Sequence, residues 1–289
     1  MTRNRIFQNR AASYLAAVCV LLFALGVPGG TRSAFGQAAP GGASPQSAKQ
    51  RAGFDVTGYW VSIVDEDWMW RMVTPAKGDY TDVPLNAEGK KLTKAWDPEK
   101  DKKEGNECRA YGAGNVMRLP ERLHITWVDD NTLQVEIDAG TQKRLFHFDG
   151  SKWKGGQPQL QGDSVATWEK LAQRRPTSYP FGGPEPGKGG NLHVITTHMK
   201  PGYLEKNGIP YSGNAVLNER FRMINYNGTD YLILKSIVDD PTFLTEKFYQ
   251  SSEFKREPDG SKWDPSPCQP LWPMQMRTVM GRAGPNESQ

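Results

Sequence analysis

The chain has 289 residues, with 36 Lys or Arg against 32 Asp or Glu, and 37% of its residues are hydrophobic. This composition is typical of a globular protein and argues against a disordered, fibrous or polytopic membrane protein. Four arginines lie in residues 1–36, which contain no acidic residue, so the rest of the chain is formally neutral. Because that body has no basic surplus, we expect no nucleic-acid partner.

The N-terminus has the order of segments that is typical of a secretory signal peptide. Three arginines within the first ten residues precede an apolar stretch over residues 11–27, which Pro28 ends. Residues 34–36 (AFG) form a plausible cleavage triplet. We therefore predict a signal peptide over 1–36 and a periplasmic or secreted protein. A membrane anchor is the alternative, but the stretch is shorter than the roughly 20 residues that span a bilayer, so no stable insertion is expected after cleavage.

Residues 37–53 are rich in Ala, Gly, Ser, Pro and Gln, a composition that indicates a flexible linker. The folded domain is predicted over 54–268, with possible related halves at 54–150 and 160–268. A loose C-terminal tail is predicted over 269–289.

The body alternates apolar and polar residues over short segments separated by turn residues such as Asn-Gly and Asp-Gly, which predicts antiparallel strands. Helix patterns are scarce; residues 86–96 predict a short helix capped by Asn86, and residues 164–175 fit either a helix or a strand. The predicted fold class is all-β with minor α, an antiparallel lipocalin-like barrel or two related β halves. The clearest predicted strands are 123–128, 133–138, 143–148, 192–197, 231–238 and 247–254.

One hairpin can be predicted to the residue level. Its loop is predicted to be residues 129–131, with Asn131 in the left-handed conformation. This register keeps the apolar residues on one face, whereas a slip of one residue would mix the two faces. The predicted partners are Trp127 with Leu133, Ile125 with Val135, Leu123 with Ile137, Thr126 with Gln134, His124 with Glu136, and Arg122 with Asp138.

The next strand is predicted to place Arg144 and Phe146 on the polar face of this hairpin, and Leu145 and His147 on the apolar face. Two interpretations of the polar face stay open. It is either a solvated surface with cross-strand ion pairs or the lining of a barrel cavity. In a cavity, buried acids and histidines are suited to acid–base chemistry. The predicted polar face comprises Arg122, His124, Glu136, Asp138 and Arg144.

Two cysteines, Cys108 and Cys268, remain after removal of the signal peptide. Two cysteines in an exported protein most simply pair, so we predict a disulfide between them. A reactive thiol is the alternative, but no Cys-x-x-Cys motif is present to favour it.

Sequence motifs for cofactors and nucleophiles are absent: the chain has no GxSxG, HExxH or P-loop sequence. We therefore assign no cofactor and no metal site. Aromatic residues are frequent and can line an apolar pocket with polar tips, as in small-molecule sites. Ordinary core packing is the alternative reading.

Several segments together resemble a large family of exported bacterial proteins without an assigned activity. The resemblance covers most of 54–268, and the second half also looks like lipocalin-like β-barrels associated with hydrophobic ligands. It implies a barrel made of two related halves. The segments that carry it are 58–61 (GYWV), 68–72 (WMWRM), 108–112 (CRAYG), 122–127 (RLHITW), 138–142 (DAGTQ), 202–204 (GYL), 207–212 (NGIPYS) and 240–241 (DP).

Three functions are therefore considered. The first is a binding protein that holds a small apolar or aromatic molecule in a barrel cavity. The second is an enzyme, a hydratase, isomerase or lyase, in which Glu136, Asp138 or Glu219 acts with His124 or His198. The third is a structural module of the cell envelope. The predicted ligand-binding residues are Trp68, Trp70, Glu136, Asp138, Arg144 and Tyr211.

Overall fold

The structure is a computed structural model that describes residues 46–150, 155–170 and 190–269. The predicted signal peptide, and the predicted tail after Gln269, lie outside these residues. The strands of the described part are β1 (Gly58–Ile63), β2 (Arg122–Asp129), β3 (Thr132–Ile137), β4 (Ala139–Gly140), β5 (Gln142–His147), β6 (Asp163–Trp168), β7 (Leu192–Thr197), β8 (Gly202–Glu205), β9 (Ile209–Tyr211), β10 (Val216–Tyr226), β11 (Thr229–Asp239), β12 (Phe248–Glu257) and β13 (Ser266–Pro267).

Nine of the described strands form a closed barrel in the order β1-β12-β11-β10-β7-β6-β5-β3-β2, which confirms the predicted mainly-β class. All neighbours are antiparallel except β5 and β6, which run parallel and meet at two residue pairs, Phe146 with Ser164 and His147 with Val165. Outside the barrel, β8 pairs with β9 and β4 pairs with β13. Closure leaves no barrel edge exposed, because every barrel strand has two neighbours.

The described helices are short and lie outside the barrel wall. The predicted helix over 86–96 is confirmed, since the Asn86 side chain accepts a hydrogen bond from the Gly89 amide at 3.0 Å and caps the helix. Residues 163–168 form a strand, which settles the start of the ambiguous 164–175 segment. The helices are α1 (Trp68–Met72), α2 (Ala87–Ala95) and α3 (Pro98–Lys103), with 3-10 turns at Glu107–Tyr111 and Val116–Arg118.

The hairpin of β2 and β3 has the predicted register, from Trp127 opposite Leu133 to Leu123 opposite Ile137. The predicted left-handed Asn131 is wrong, because Asn131 is not among the described residues with positive φ. The strands instead pair as far as Asp129 and Thr132, with an irregularity between Trp127 and Asp129. A bulge in β2 thus supplies the extra residue that the prediction placed in the loop.

The prediction that Arg144 and Phe146 share the face of His124 and Glu136 is wrong. Val135 pairs with Arg144 and Leu133 with Phe146, so both side chains point into the barrel. The reason is the connection from β3 to β5, in which Ile137 pairs with Gln142. This turn shifts the third strand by one residue relative to the prediction, and a shift of one residue exchanges its faces.

Apolar side chains fill much of the barrel interior. Trp60, Phe146, Phe221 and Phe254 are each at most 1% exposed, and they pack with Leu, Ile and Val side chains from the strands around them. A second apolar cluster surrounds Tyr211 and joins the β8–β9 hairpin to the segment before α2 and to the start of β10. The first cluster supplies the apolar surroundings of the polar groups inside the barrel.

A disulfide and the residues before Phe54 make further contacts around the barrel. The predicted disulfide is confirmed, with Cys108 and Cys268 joined across 160 positions of sequence. Ahead of Phe54, the Trp168 indole N–H donates to the Ala48 carbonyl at 2.9 Å, so the chain already packs on the barrel there. None of the described helices is long and apolar enough to cross a membrane.

Candidate functional site

Polar side chains interrupt the apolar interior of the barrel. Glu121 directly precedes β2 and continues the inward alternation of Leu123 and Ile125. Glu219 on β10 and Gln250 on β12 share a face, because each lies opposite Ser236 of β11. We call the following set the polar layer: Glu121, Arg144, Ser164, Thr196, Glu219 and Gln250.

A buried ion pair forms the centre of the polar layer. The Arg144 Nη1 and Nη2 atoms donate to the two Glu219 carboxylate oxygens at 2.8 and 2.6 Å. The two side chains are 0% and 1% exposed. A two-fold contact of this kind matches the planar guanidinium to the carboxylate and fixes both groups. The pair therefore neutralises itself in place.

Hydroxyl groups extend the ion pair towards β6 and β7. Arg144 Nη2 also donates to the Thr196 hydroxyl at 3.1 Å. The Thr196 and Ser164 hydroxyl oxygens are 2.7 Å apart and share a hydrogen bond. The Arg144 guanidinium also lies 5.0 Å from the centre of the Phe146 ring, and this cation–π contact is electrostatically favourable. These contacts hold the Arg144 head group rigidly in the interior.

Glu121 differs from Glu219, because neither of its carboxyl oxygens has a hydrogen-bond partner among the described residues. Complete burial raises the pKa of this carboxyl well above its ordinary value, and the charge of Asp138 raises it further. The Arg71 and Arg144 charges act in the opposite direction. Burial therefore favours the protonated form of the Glu121 carboxyl, and a protonated carboxyl both donates and accepts hydrogen bonds.

Two further groups of the polar layer have unused hydrogen-bonding atoms. Arg144 Nε and Gln250 Nε2 are buried and have no partner within the described part of the chain. Buried polar groups in proteins are normally paired, because an unpaired group loses about 1–3 kcal/mol of solvation. Each of these atoms is therefore a position where a water molecule or a ligand group can hydrogen-bond.

A second buried charged group lies beneath α1. The Lys206 ammonium donates to the Arg71 carbonyl at 2.5 Å, and Arg71 Nε donates to the Arg118 carbonyl at 2.9 Å. Both Glu205 carboxyl oxygens lack partners among the described residues. Burial raises the pKa of Glu205 to about 8 and lowers the pKa of Lys206 to about 8. Arg71 links this group to the polar layer, since its charge acts on Glu121.

The structure brings His124 and Glu136 together as the sequence predicts. His124 Nδ1 lies 3.0 Å from Glu136 Oε2, and the imidazole stacks on the Tyr59 ring with 4.2 Å between centroids. Lys143 also lies 3.5 Å from Glu136. These half-exposed groups are on the outer face of the barrel, away from Arg144. Their predicted roles in catalysis or binding stay predictions.

The other predicted residues are dispersed. Asp138 is buried and accepts a hydrogen bond from the Arg122 amide at 2.8 Å, and burial raises the pKa of its carboxyl. His198 lies after β7 with a φ of 55°, and its Nδ1 is 2.8 Å from the Thr197 hydroxyl. Trp68 on α1 is 58% exposed. Of the predicted set, Arg144 and Glu219 are the pair that meets inside the barrel.

Two predicted ligand-binding residues lie near buried charged groups. Tyr211 is fully buried in the second apolar cluster, and this burial raises the pKa of its hydroxyl against a smaller opposing effect of the Arg144 charge. Trp70 on α1 lines a small cavity together with Glu205 and Lys206. Both residues border the buried charges without belonging to the layer.

Sequence reasoning missed Glu121, Thr196 and Gln250. A usable pattern exists for Glu121, because Glu121, Leu123 and Ile125 follow the strict period of two of an inward-facing strand. Thr196 and Gln250 cannot be found in this way, because a single polar residue at an inward position looks like a break in the alternation of apolar and polar residues.

Comparison with protein-family models, with curated proteins and with solved structures finds no match to this chain. Among the described residues, no group of three or more His, Cys, Asp or Glu side chains is arranged to hold a metal ion. The arguments for function therefore rest on the polar layer and its surroundings.

Proposed function

We propose that this is an exported, lipocalin-like protein that binds a small molecule inside its barrel, with the polar end of the ligand at the polar layer. The observation that carries the proposal is Glu121, a fully buried carboxyl whose two oxygens have no partner among the described residues. A ligand group that hydrogen-bonds to Glu121 would remove the cost of this unpaired burial. The disulfide between Cys108 and Cys268 supports an oxidising location outside the cytoplasm.

The electrostatics of the layer favour an uncharged polar group on the ligand. Arg144 and Glu219 neutralise each other, and burial disfavours a charge on Glu121. An ion would be desolvated there without a counter-charge, which is costly. A hydroxyl, carbonyl or amide can use the Glu121 carboxyl, Arg144 Nε and Gln250 Nε2. The rest of the ligand would be apolar or aromatic and would lie against side chains such as Phe146 and Phe221.

Binding can be measured with N-phenyl-1-naphthylamine, an uncharged aromatic probe that carries one N–H donor and fluoresces in apolar surroundings. We expect Glu121→Leu to weaken probe binding at least tenfold, because it removes the hydrogen-bonding carboxyl. The same variant should melt at a higher temperature than the unsubstituted protein, because an unpaired buried carboxyl is replaced by an apolar group. Glu136→Gln, on the outer face, is the matched control and should leave binding within twofold.

The proposal fails if the unsubstituted protein does not bind the probe, or if Glu121→Leu binds it as tightly as the unsubstituted protein. Mass spectrometry of molecules that co-purify with the protein is an independent test, and it identifies the class of the natural ligand. Their loss in the Glu121→Leu protein, with retention in Glu136→Gln, is the expected pattern.

A second candidate is an acid–base enzyme, favoured by the raised pKa of Glu121 and of Glu205. Carboxyl groups with raised pKa values are suited to general acid catalysis near neutral pH. An enzyme would convert the molecule that it binds, and Glu121→Gln would stop conversion while retaining binding. A binding protein would release the same molecule unchanged.

A further inference from the structure

A second recess lies outside the barrel, between the α2–α3 region and the β8–β9 hairpin. Its volume is about 370 Å³, within the range of roughly 300–1,000 Å³ that is usual for small-molecule pockets. Trp96, Tyr203 and Phe243 contribute aromatic surface to its lining, and Arg109 and Asp101 contribute charge. We call this recess the outer cleft.

The aromatic walls of the outer cleft are held in place. The Trp96 indole N–H donates to Asp101 Oδ2 at 3.0 Å, and the Tyr203 hydroxyl donates to the same oxygen at 2.6 Å. The two rings meet edge to face, with 6.4 Å between centroids. Gly208 has a φ of +84° and packs so closely on Trp96 that a Cβ there would overlap the indole. A rigid cleft binds with less loss of side-chain freedom than a mobile one.

The carboxylates of the outer cleft already have partners. Asp101 accepts from Trp96 and Tyr203, and Asp97 accepts from the Glu99 amide at 3.0 Å. Glu104 accepts from Asn106 at 3.1 Å and lies 3.9 Å from the Lys100 ammonium. These carboxylates are therefore engaged in hydrogen bonds within the protein.

Lys100 and Arg109 are the cations that line the outer cleft, and Arg109 carries a planar guanidinium with unused donors. Its Nη1 makes contacts of 3.4 Å with Asp101 Oδ1 and with the Tyr203 hydroxyl. Burial works against its charge, but these partners hold the pKa of Arg109 above its ordinary value. The Nε and Nη2 atoms have no hydrogen-bond partner within the described part of the chain, and the side chain is 39% exposed. The Nε–Nη2 edge of a guanidinium fits a carboxylate with two parallel hydrogen bonds.

We infer that the outer cleft is a second binding site, distinct from the polar layer, for an aromatic or apolar carboxylic acid. The carboxylate would lie on the Nε–Nη2 edge of Arg109, and the ring would lie against Trp96 and Tyr203. The inference rests on three features that lie together. The aromatic walls are held in place, the carboxylates already accept hydrogen bonds, and the Arg109 guanidinium uses Nη1 but not its Nε–Nη2 edge among the described residues. A cationic ligand would meet the charge of Arg109, and the carboxylates of the lining, Asp97, Asp101 and Glu104, already accept hydrogen bonds.

The test compares three probes of one shape by calorimetry on the purified Glu121→Leu protein, in which the polar layer lacks the carboxyl that would bind an uncharged polar group: 2-naphthoate, 2-naphthamide and 2-naphthylmethylamine. We expect naphthoate to bind at least tenfold more tightly than naphthamide, with the amine weakest. Arg109→Gln should abolish this preference, so that naphthoate and naphthamide bind alike. Arg222→Gln, at an exposed arginine on β10, is the matched control and should keep the full preference.

Arg109→Lys keeps the charge but lacks the two-pronged edge, and it gives an independent measurement if Arg109→Gln does not fold. We expect it to lower naphthoate affinity at least threefold. The inference is overturned if naphthamide or the amine binds as tightly as naphthoate to the Glu121→Leu protein, or if either Arg109 variant made in that protein keeps the full preference. Glu121→Leu should leave naphthoate binding unchanged, which separates this site from the polar layer.

Discussion

Single side chains inside this protein hold charges that water would solvate far better. The Arg144–Glu219 pair offsets the desolvation cost through its two-fold hydrogen-bonded geometry. A buried ion pair is nevertheless weak evidence for stability, since apolar replacements are often as stable. Glu121 and Glu205 lack even such a partner among the described residues. At this scale the interior contains charged and polar groups that apolar packing alone does not require.

The Glu205 carboxyl predicts a dependence of stability on pH. Its pKa is about 8 in the folded protein against an ordinary value of 4.5, so the folded state holds the proton more tightly. The resulting stabilisation is complete below pH 4.5 and is lost as the pH rises through 8. Lys206, with its pKa lowered from 10.5 to about 8, has the opposite effect in the window above 8.

We therefore expect the free energy of unfolding to fall by a few kcal/mol between pH 5 and 8, given about 1.4 kcal/mol for each pKa unit. Urea denaturation across this range measures it. Glu205→Gln should make the fall smaller, while Glu88→Gln, at an exposed helix residue, should retain the full slope. Identical slopes in all three proteins would contradict the assignment of the proton to Glu205.

Among the elements, the turn between β3 and β5 decides which face of the sheet Arg144 occupies. Gly140 in this turn has a φ of +73°, and a Cβ there would overlap the Tyr111 ring. Gly150, after β5, has a similar φ of +67° but open space around it. The two glycines separate backbone strain from side-chain packing.

We expect Gly150→Ala to cost about 1 kcal/mol, the usual penalty for a left-handed alanine. Gly140→Ala should cost clearly more, because the Tyr111 ring must also move. Chemical denaturation of the two variants gives the difference directly. Equal losses would show that Tyr111 yields without cost and that the turn tolerates a side chain.

The same elements show where sequence reasoning succeeds and where it stops. Local alternation was sufficient for the β2–β3 register, because the apolar residues of both strands must share one face. It was not sufficient for β5, whose face depends on the dihedral angles of a four-residue turn. It also missed β10, in which Glu219 occupies an inward position. Glu219 is neutralised by Arg144, 75 positions away, and local pattern carries no trace of such a partner.

Over the whole molecule, the Cys108–Cys268 disulfide joins the segment before β2 to the end of the described chain. It encloses 160 positions of sequence, including most barrel strands. Restricting so long a loop lowers the entropy of the unfolded chain by an amount worth about 5 kcal/mol in the chain-entropy model. The bond therefore acts on the barrel as a unit.

We expect the Cys108→Ser, Cys268→Ser double variant to lose about 2–5 kcal/mol of unfolding free energy, as is common when native disulfides are removed. Denaturation of the unsubstituted protein with and without a reducing agent should reproduce that loss. The reducing agent should leave the double variant unchanged, which provides the control. A loss below about 1 kcal/mol would mean that the unfolded chain is already restricted without the bond.

The number of barrel strands has a consequence of its own. Strand directions cannot alternate all the way around a ring with an odd number of members, so one neighbouring pair must run the same way. In the described barrel that pair is β5 and β6, held by two residue pairs. Arg144 lies on β5, and its partners Thr196 and Glu219 lie beyond this mismatch on β7 and β10. The buried ion pair therefore connects strands on the two sides of this parallel pair. Its position is set by the odd number of strands as well as by its charges.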